Sequence, residues 1–144
     1  MWILLATTAS MFWGMTYVFD EQLYKQVSVL SILAIEMFFI SLLIAGLALF
    51  KGVLRPDIVA IGSSSRLFWL FVASTATFLV GEVGIGYAIQ GKDATLAGLI
   101  EISYPLFIAL FAYLFFRESE LNFGTALGGL LVFAGVCAIY WFSR

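Results

Sequence analysis

Five long apolar segments, separated by short charged stretches, constrain the fold of this sequence most strongly. They are Met1–Phe19, Gln26–Phe50, Leu67–Gly91, Ala94–Phe116 and Leu121–Ser143. A helix needs about 20 apolar residues to cross the hydrocarbon of a bilayer, and a backbone in lipid must satisfy its hydrogen bonds internally. The sequence therefore predicts an all-α membrane protein that forms a single domain over residues 1–144. We expect transmembrane helices near 2–19, 27–50, 67–90, 94–116 and 122–142.

The first segment shares one property with a signal peptide, because Ala6–Ser10 contains small residues. It lacks the basic amino-terminal region of a signal peptide, and Trp13, Gly14 and Tyr17 continue the segment beyond the small residues. We therefore interpret it as a true membrane span.

The composition excludes several classes of function. One cysteine and no histidine are present, which excludes a disulfide framework, a Cys/His zinc site and histidine-dependent catalysis within these residues. A net charge of −2 gives no reason to expect a nucleic-acid partner. The sequence offers no nucleophile–base pair and no set of metal ligands, so we expect neither an enzyme nor a bound cofactor.

Each of the three middle segments contains one glutamate: Glu36, Glu82 and Glu101. At 1.5 Å per residue, all three lie roughly 11–15 Å from the same membrane face. A charge at mid-membrane costs at least ~2.5 kcal/mol, and the sequence places no Lys or Arg at this depth. Carboxylic acids in such surroundings either hold a proton or bind a cation, which predicts a proton-coupled or cation-binding transport site. The alternative is that each acid is protonated and hydrogen-bonds a neighbouring helix as a packing contact.

Glu101 has a second unusual feature, since Pro105 follows it by four residues. Proline has no N–H, so the backbone carbonyl of Glu101 loses its helical partner. Tyr104 shares the same helix face and offers a hydroxyl. Broken helices with free carbonyls recur in transporter sites; the alternative is an ordinary proline kink.

The first helix carries a polar and aromatic stripe formed by Ser10, Trp13, Gly14 and Tyr17, which are spaced to lie on one face. In a membrane, such a face turns towards the protein interior. Trp13 and Tyr17 are therefore expected to line the same cavity as Glu82 and to hold a cation against their rings. Plain helix packing is the alternative.

Glycines are concentrated in two helices. Gly81, Gly84 and Gly86 surround Glu82 and allow close approach or bending of that helix. Gly124 and Gly128 form a GxxxG pair in the last helix, which is typical of helix contacts. The pattern does not distinguish a contact within the chain from a dimer contact.

The charges outside the segments lie in short connections. The longest, Lys51–Arg66, is predicted to be a loop. Five spans place the termini on opposite faces. The amino-terminal face carries Lys51, Arg55, Arg66 and Arg117, and the other face carries Lys25, Lys92 and Arg144. Because Lys/Arg bias normally sets orientation, four against three leaves two interpretations open: an amino terminus in the cytoplasm, or dual topology.

Several short motifs resemble the EamA-type family of the drug/metabolite transporter superfamily. Phe12-Trp13-Gly14 is similar to the WG signature in the family's first helix. The run Ala94–Phe107 (ATLAGLIEISYPLF) resembles its fourth helix, and Arg117-Glu118 resembles the acidic end of that helix. The stretch Gly124–Gly135 resembles the glycine-bearing last helix. The resemblance covers the whole chain in order and spacing.

The resemblance implies half of an inverted-repeat transporter fold, since family members usually carry two five-helix copies in inverted orientation. We expect a transporter of small organic metabolites or drugs in the cytoplasmic membrane of a prokaryote. It would work as an antiparallel homodimer by alternating access, with protons and substrate sharing the Glu82/Glu101 region. The acidic residues favour a cationic or zwitterionic substrate, and a lipid headgroup is a second possibility. The rival interpretation is a non-transporting membrane subunit.

Overall fold

A computed structural model describes residues 1–118 and 122–142, and every regular element in these ranges is helical. The elements are α1 (Trp2–Tyr24), α2 (Val29–Phe50), α3 (Leu54–Ser63), α4 (Ser65–Gly91), α5 (Ala94–Glu101), α6 (Tyr104–Phe111), a π-helix (Ala112–Phe116) and α7 (Phe123–Phe142). Among the described residues, five stretches are long and apolar enough to span a membrane: α1, α2, α4, Ala94–Phe116 and α7. The predicted all-α fold with five transmembrane helices is therefore confirmed. Leu121, Ser143 and Arg144, which the sequence interpretation used, lie outside the described residues.

Several threonine side chains within the spans bond to their own helix. The hydroxyls of Thr7, Thr8 and Thr16 donate to carbonyls four residues earlier, at 2.9, 2.8 and 3.1 Å. Thr75 does the same in α4, at 2.9 Å from the carbonyl of Phe71. Because lipid offers no hydrogen-bond partner, this internal bonding allows exposed threonines to lie in an apolar span.

Helix α1 extends beyond its predicted end, as far as Tyr24. The charged residues that suggested a loop continue the helix instead, and the carboxylate of Glu21 lies 3.2 Å from Nζ of Lys25 in an i,i+4 pair. The chain then turns through hydrogen bonds from the N–H groups of Gln26 and Val27 to the carbonyl of Leu23. Ser28 caps α2, since its Oγ accepts from the N–H of Ser31 at 3.3 Å.

The connection between α2 and α4 is not the predicted loop but contains the short helix α3. Gly52 follows α2 with φ +71°, a conformation that glycine adopts without steric cost. The N–H of Val53 bonds the carbonyl of Ala48 at 3.1 Å, which closes the end of α2. Pro56 lies in the first turn of α3, where its missing N–H costs no helical hydrogen bond. Asp57 in the same turn favours the positive end of the helix.

The fourth span is divided into three pieces. Asp93 caps α5 by accepting the N–H of Leu96 at 2.7 Å. Helix α5 ends at Glu101, and α6 begins at Tyr104 with Pro105 in its first turn. The span ends in the π-helix, after which Arg117 adopts φ 59°, a left-handed conformation that is uncommon for a residue with a side chain.

The chain divides into two compact units. One comprises Met1–Phe19 and Gly91–Arg144, and the other comprises Asp20–Gln90. In the first unit, Ala94 and Ala97 of α5 are buried, and the backbone of Gly129 in α7 packs under the Leu106 side chain. In the second unit, the buried residues are Asp20, Tyr24, Val29, Ile32, Gly86 and Ile89.

Candidate functional site

A hydrogen bond between side chains joins α1 to the end of α5 within the first unit. The hydroxyl of Tyr17 donates to Oε2 of Glu101 at 2.5 Å, and the contact is partly buried. This separation lies within the range of O–H···O hydrogen bonds. The structure thus brings together two of the predicted site residues that lie 84 positions apart in the sequence.

The turn of α5 that precedes Glu101 is shaped to receive the Tyr17 ring. An added Cβ at Gly98 would lie 3.5 Å from Cδ2 of Tyr17, so the ring lies directly against the backbone there. Ala97, the neighbouring residue, is buried. Small residues on α5 therefore let the aromatic ring of α1 approach closely enough for its hydroxyl to reach the carboxylate one turn further on.

Glu101 is also the last residue of α5, and the helix restarts only at Tyr104. Its carbonyl faces a proline four residues later, which has no N–H to donate. The carboxylate and the helix interruption therefore coincide at one residue. The Tyr104 ring is 56% exposed, and the hydroxyl that reaches Glu101 is that of Tyr17.

Other members of the α1 stripe have different surroundings. The ring centroid of Trp13 lies 6.0 Å from that of Tyr17, with the planes tilted by 59°, and the Trp13 side chain is 48% exposed. Ser10 is exposed. A Cβ placed on Gly14 would meet no heavy atom within 4 Å. Within the first unit, Tyr17 is thus the stripe residue for which a contact with α5 is seen.

Glu36 and Glu82 belong to the second unit, where both are half-buried. There they share their surroundings with Asp20, whose side chain is only 6% exposed. The carboxylates of Asp20 and Glu82 act electrostatically on Glu36, and all three act on the hydroxyl of Tyr24. Like charges repel one another in an apolar medium, so a proton or a cation near these acids would lower that repulsion.

The sequence interpretation missed Asp20 and Tyr24 because it ended the first helix before them. A signal was nevertheless present. Trp13, Tyr17, Asp20 and Tyr24 follow one another at intervals of four, three and four residues, which continues the polar and aromatic stripe along one helical face. Extending the helix as far as Tyr24 would have placed both residues on that face.

Close packing fixes the end of α1 in the second unit. The side-chain amide of Gln90 donates to the carbonyl of Tyr24 at 3.1 Å. Gly86 lies against both α1 and α2, because a Cβ there would be 2.5 Å from Cγ1 of Val29 and 3.4 Å from Oη of Tyr24. Among the predicted glycines around Glu82, Gly86 makes this close contact, whereas Gly81 and Gly84 have open space around them.

The glycine pair of α7 is also open. A Cβ on Gly128 would meet nothing within 4 Å, and a Cβ on Gly124 would meet only the side chain of nearby Asn122. The glycine of α7 that contacts another element is Gly129, which lies against Leu106. In the part of the chain that the structure describes, no group of three or more His, Cys, Asp or Glu side chains is arranged to hold a metal ion.

Comparison with known proteins gives one result that bears on function. A sequence model of the EamA-like transporter family matches residues 1–141, which include the five candidate membrane spans of the described residues except for the last residue of α7. Comparisons with curated proteins and with solved structures give no significant match. The family match agrees with the five apolar helices found among the described residues. The chain is an integral membrane protein that belongs to the EamA-like transporter family.

Proposed function

We propose that this protein transports small organic molecules across the membrane in exchange for protons, with Glu101 as the coupling residue. The observation that carries the proposal is the 2.5 Å hydrogen bond from Tyr17 to Glu101 at the interruption of the fourth span. A carboxylate held by one hydroxyl in a membrane span can change partners when it takes up a proton or meets a substrate. The proposed location is the cytoplasmic membrane of a prokaryote.

The chemistry of the Tyr17–Glu101 pair suits the exchange of a substrate for a proton. An ionised Glu101 accepts the Tyr17 hydroxyl proton in a hydrogen bond, whereas a protonated Glu101 can itself donate. A cationic group of a substrate would compete with both the proton and Tyr17 for the same oxygen. The free carbonyl at the end of α5 offers a further acceptor beside it. Proton and substrate would therefore occupy the site alternately, which is the requirement for coupled transport.

A cationic or zwitterionic substrate fits the charges best. The acids named within the spans are Asp20, Glu36, Glu82 and Glu101, whereas the basic Arg66 lies in the first turn of α4, at the end of its span. Lys25, by contrast, lies beyond the end of α1 and pairs with Glu21 at 3.2 Å. An ammonium group would be stabilised by these carboxylates, whereas an anionic substrate would be repelled.

The proposed functional unit is an antiparallel homodimer that works by alternating access. Two observations support it. An odd number of spans would put the two ends of one copy on opposite faces, and on that topology the Lys and Arg residues are nearly balanced between the faces. A second copy inserted in the opposite orientation would supply the inverted partner unit that alternating access needs.

Reconstitution tests the proposed function directly. Purified protein in liposomes is given a pH gradient and a panel of radiolabelled cationic, zwitterionic and anionic metabolites. We expect gradient-driven uptake of a cationic or zwitterionic compound. In Glu101→Gln, which keeps the shape but not the titration, transport should no longer depend on pH. Asp57→Asn, an exposed acid in α3, serves as the matched control.

Two outcomes would contradict the proposal. Unchanged pH-dependent transport by Glu101→Gln would remove Glu101 from the coupling step. No uptake of any compound, together with no substrate-linked proton release from the purified protein, would favour a non-transporting subunit. Movement of labelled lipids between leaflets in the same liposomes would instead indicate a lipid headgroup as the substrate.

A further inference from the structure

We propose that α3 and the residues beside it form a binding surface for the phosphate groups of anionic lipids. The surface, called here the α3 basic surface, consists of Lys51, Arg55 and Arg66 together with the exposed apolar residues Ile58 and Val59. It lies wholly within the second unit.

The connections of α3 fix its position at the membrane surface. Helix α2 ends at Phe50 and α3 begins at Leu54, and Ser64 alone separates α3 from α4. Both neighbouring helices are membrane spans. Since three residues reach about 10 Å at most, α3 cannot leave the boundary between hydrocarbon and water. Trp69 in the first turns of α4 is exposed, as is usual for aromatic residues at headgroup level.

The apolar side chains of α3 suit immersion in lipid. Leu54 and Ile61 lie on one face and are partly covered by the protein. Ile58 and Val59 remain 60% and 63% exposed. A short helix that carries exposed apolar and basic side chains lies in the interface, with its apolar residues among the acyl chains. Its basic residues then reach the headgroups.

The three cations of this surface are exposed and make no ion pair with any described residue. Asp57 is the one acid in the connection between α2 and α4. Lys25, in the connection between α1 and α2, differs in this respect, because Glu21 and Gln22 hold its ammonium at 3.2 and 3.1 Å. The α3 basic surface therefore has an excess of positive charge for which the described part of the protein provides no partner.

Lipid phosphate fits this surface better than other anions. Arginine guanidinium groups bind phosphate oxygens in pairs, and the exposed apolar residues beside them match the acyl chains of the same molecule. Juxtamembrane cations each contribute roughly a fivefold gain in affinity for an anionic membrane surface. A free phosphate ion would use only the charges and would gain nothing from Ile58 and Val59.

The test measures lipid binding by the purified full chain in a neutral detergent. The protein is titrated with short-chain phosphatidylglycerol or phosphatidylcholine, and the apparent affinity is taken from the rise in unfolding temperature. We expect preference for phosphatidylglycerol. Each of Lys51→Gln, Arg55→Gln and Arg66→Gln should weaken that binding roughly fivefold. Lys25→Gln, which removes a cation that is already paired, should leave it unchanged.

Three results would overturn the proposal. One is equal affinity of the wild type for the two lipids. Another is unchanged phosphatidylglycerol binding in all three single variants. The third is equal stabilisation by inorganic phosphate at the same concentration, which would indicate a site for a free anion. Arg55→Lys and Arg66→Lys keep the charge and should bind more weakly than wild type if paired guanidinium contacts matter.

Discussion

The phenolic oxygen of Tyr17 lies 2.5 Å from Oε2 of Glu101, and this bond connects α1 with the last residue of α5. It places an acid and a hydroxyl of predicted importance side by side at the point where the fourth span is interrupted. The bond also gives the proposed coupling residue a partner that can respond to its protonation. The experiments that follow separate this role from simple helix packing.

The first prediction concerns the energetic coupling of Tyr17 and Glu101. Tyr17→Phe removes only the hydroxyl, and loss of a hydrogen bond to a charged group costs about 1.5–3 kcal/mol. In a double-mutant cycle with Glu101→Gln, the two effects should not add. The measurement is thermal unfolding in detergent. Tyr104→Phe, at the exposed ring beside the break, should change stability little. Additive effects in the cycle would show that the two side chains do not interact.

The second prediction uses two glycines of α4 that differ in their surroundings. Gly86→Ala forces a Cβ to within 2.5 Å of Val29 unless the helices move, and overpacking of this kind costs about 1–3 kcal/mol. Gly84→Ala places its methyl group in open space, and its stability should be unchanged or slightly higher. The measurement is the unfolding temperature of both variants in the same detergent. Equal stability of the two would contradict the observed packing of Gly86 against Val29.

The third prediction concerns Asp20, the polar residue that is most buried among those described. Asp20→Asn keeps the shape and removes one of three acids that interact electrostatically. If these acids bind the cationic group of the substrate, affinity should fall while the unfolding temperature does not. Binding is measured with the substrate identified by the liposome panel, and Asp57→Asn is the exposed control. Lower stability with unchanged affinity would assign Asp20 to packing.

The fourth prediction concerns the cap of α5, the helix that carries Glu101. Asp93 accepts the N–H of Leu96 at 2.7 Å, and replacing such a cap by alanine costs about 1 kcal/mol. Asp93→Ala should lower the unfolding temperature, whereas Asp93→Asn retains an acceptor oxygen and should nearly restore it. If both variants lose the same stability, the charge of Asp93 matters more than its capping bond.

The spans could be predicted because charges are rare and the segments between them exceed the length needed to cross lipid. The ends of the helices were harder to predict. Glu21 and Lys25 suggested a loop, yet as an i,i+4 pair they lie at the end of a continuing helix. The stretch Lys51–Arg66 was predicted to be a loop, yet Pro56 lies in the first turn of α3, where it is compatible with a helix. A charged residue or a proline is compatible with the end of a helix but disfavours its middle. Its effect therefore depends on where the helix ends, which the sequence alone does not define.

The site could be predicted only as a set of residue types. The unusual chemistry of Glu101 and Pro105 was visible because both lie within four residues of each other. The hydroxyl partner of Glu101 could not be predicted, since the choice between Tyr104 and Tyr17 depends on how α1 is rotated against α5. That rotation is set by contacts such as Tyr17 against Gly98, which join distant parts of the sequence.

The last prediction concerns topology: individual copies should insert in both orientations. The charge balance supports this expectation. On the topology predicted from the sequence, the amino-terminal face would carry Lys51, Arg55, Arg66 and Arg117, and the other face would carry Lys25, Lys92 and Arg144. Because the excess is a single residue, neither orientation is strongly favoured. A carboxy-terminal fusion to a reporter active only in the cytoplasm should give a signal, and so should a fusion to a reporter active only outside it.

Shifting the balance should then separate topology from folding. Two lysines added to the connection between α1 and α2, residues 25–28, should place all copies in one orientation and abolish transport while the protein remains folded. Co-expression with a variant of opposite bias should restore transport, because the pair again contains both orientations. Adding two glutamines at the same site provides the control, because this change has the same length but no charge. If one reporter alone gives a signal and the purified wild-type protein still transports, then copies of a single orientation are sufficient and the antiparallel homodimer is wrong.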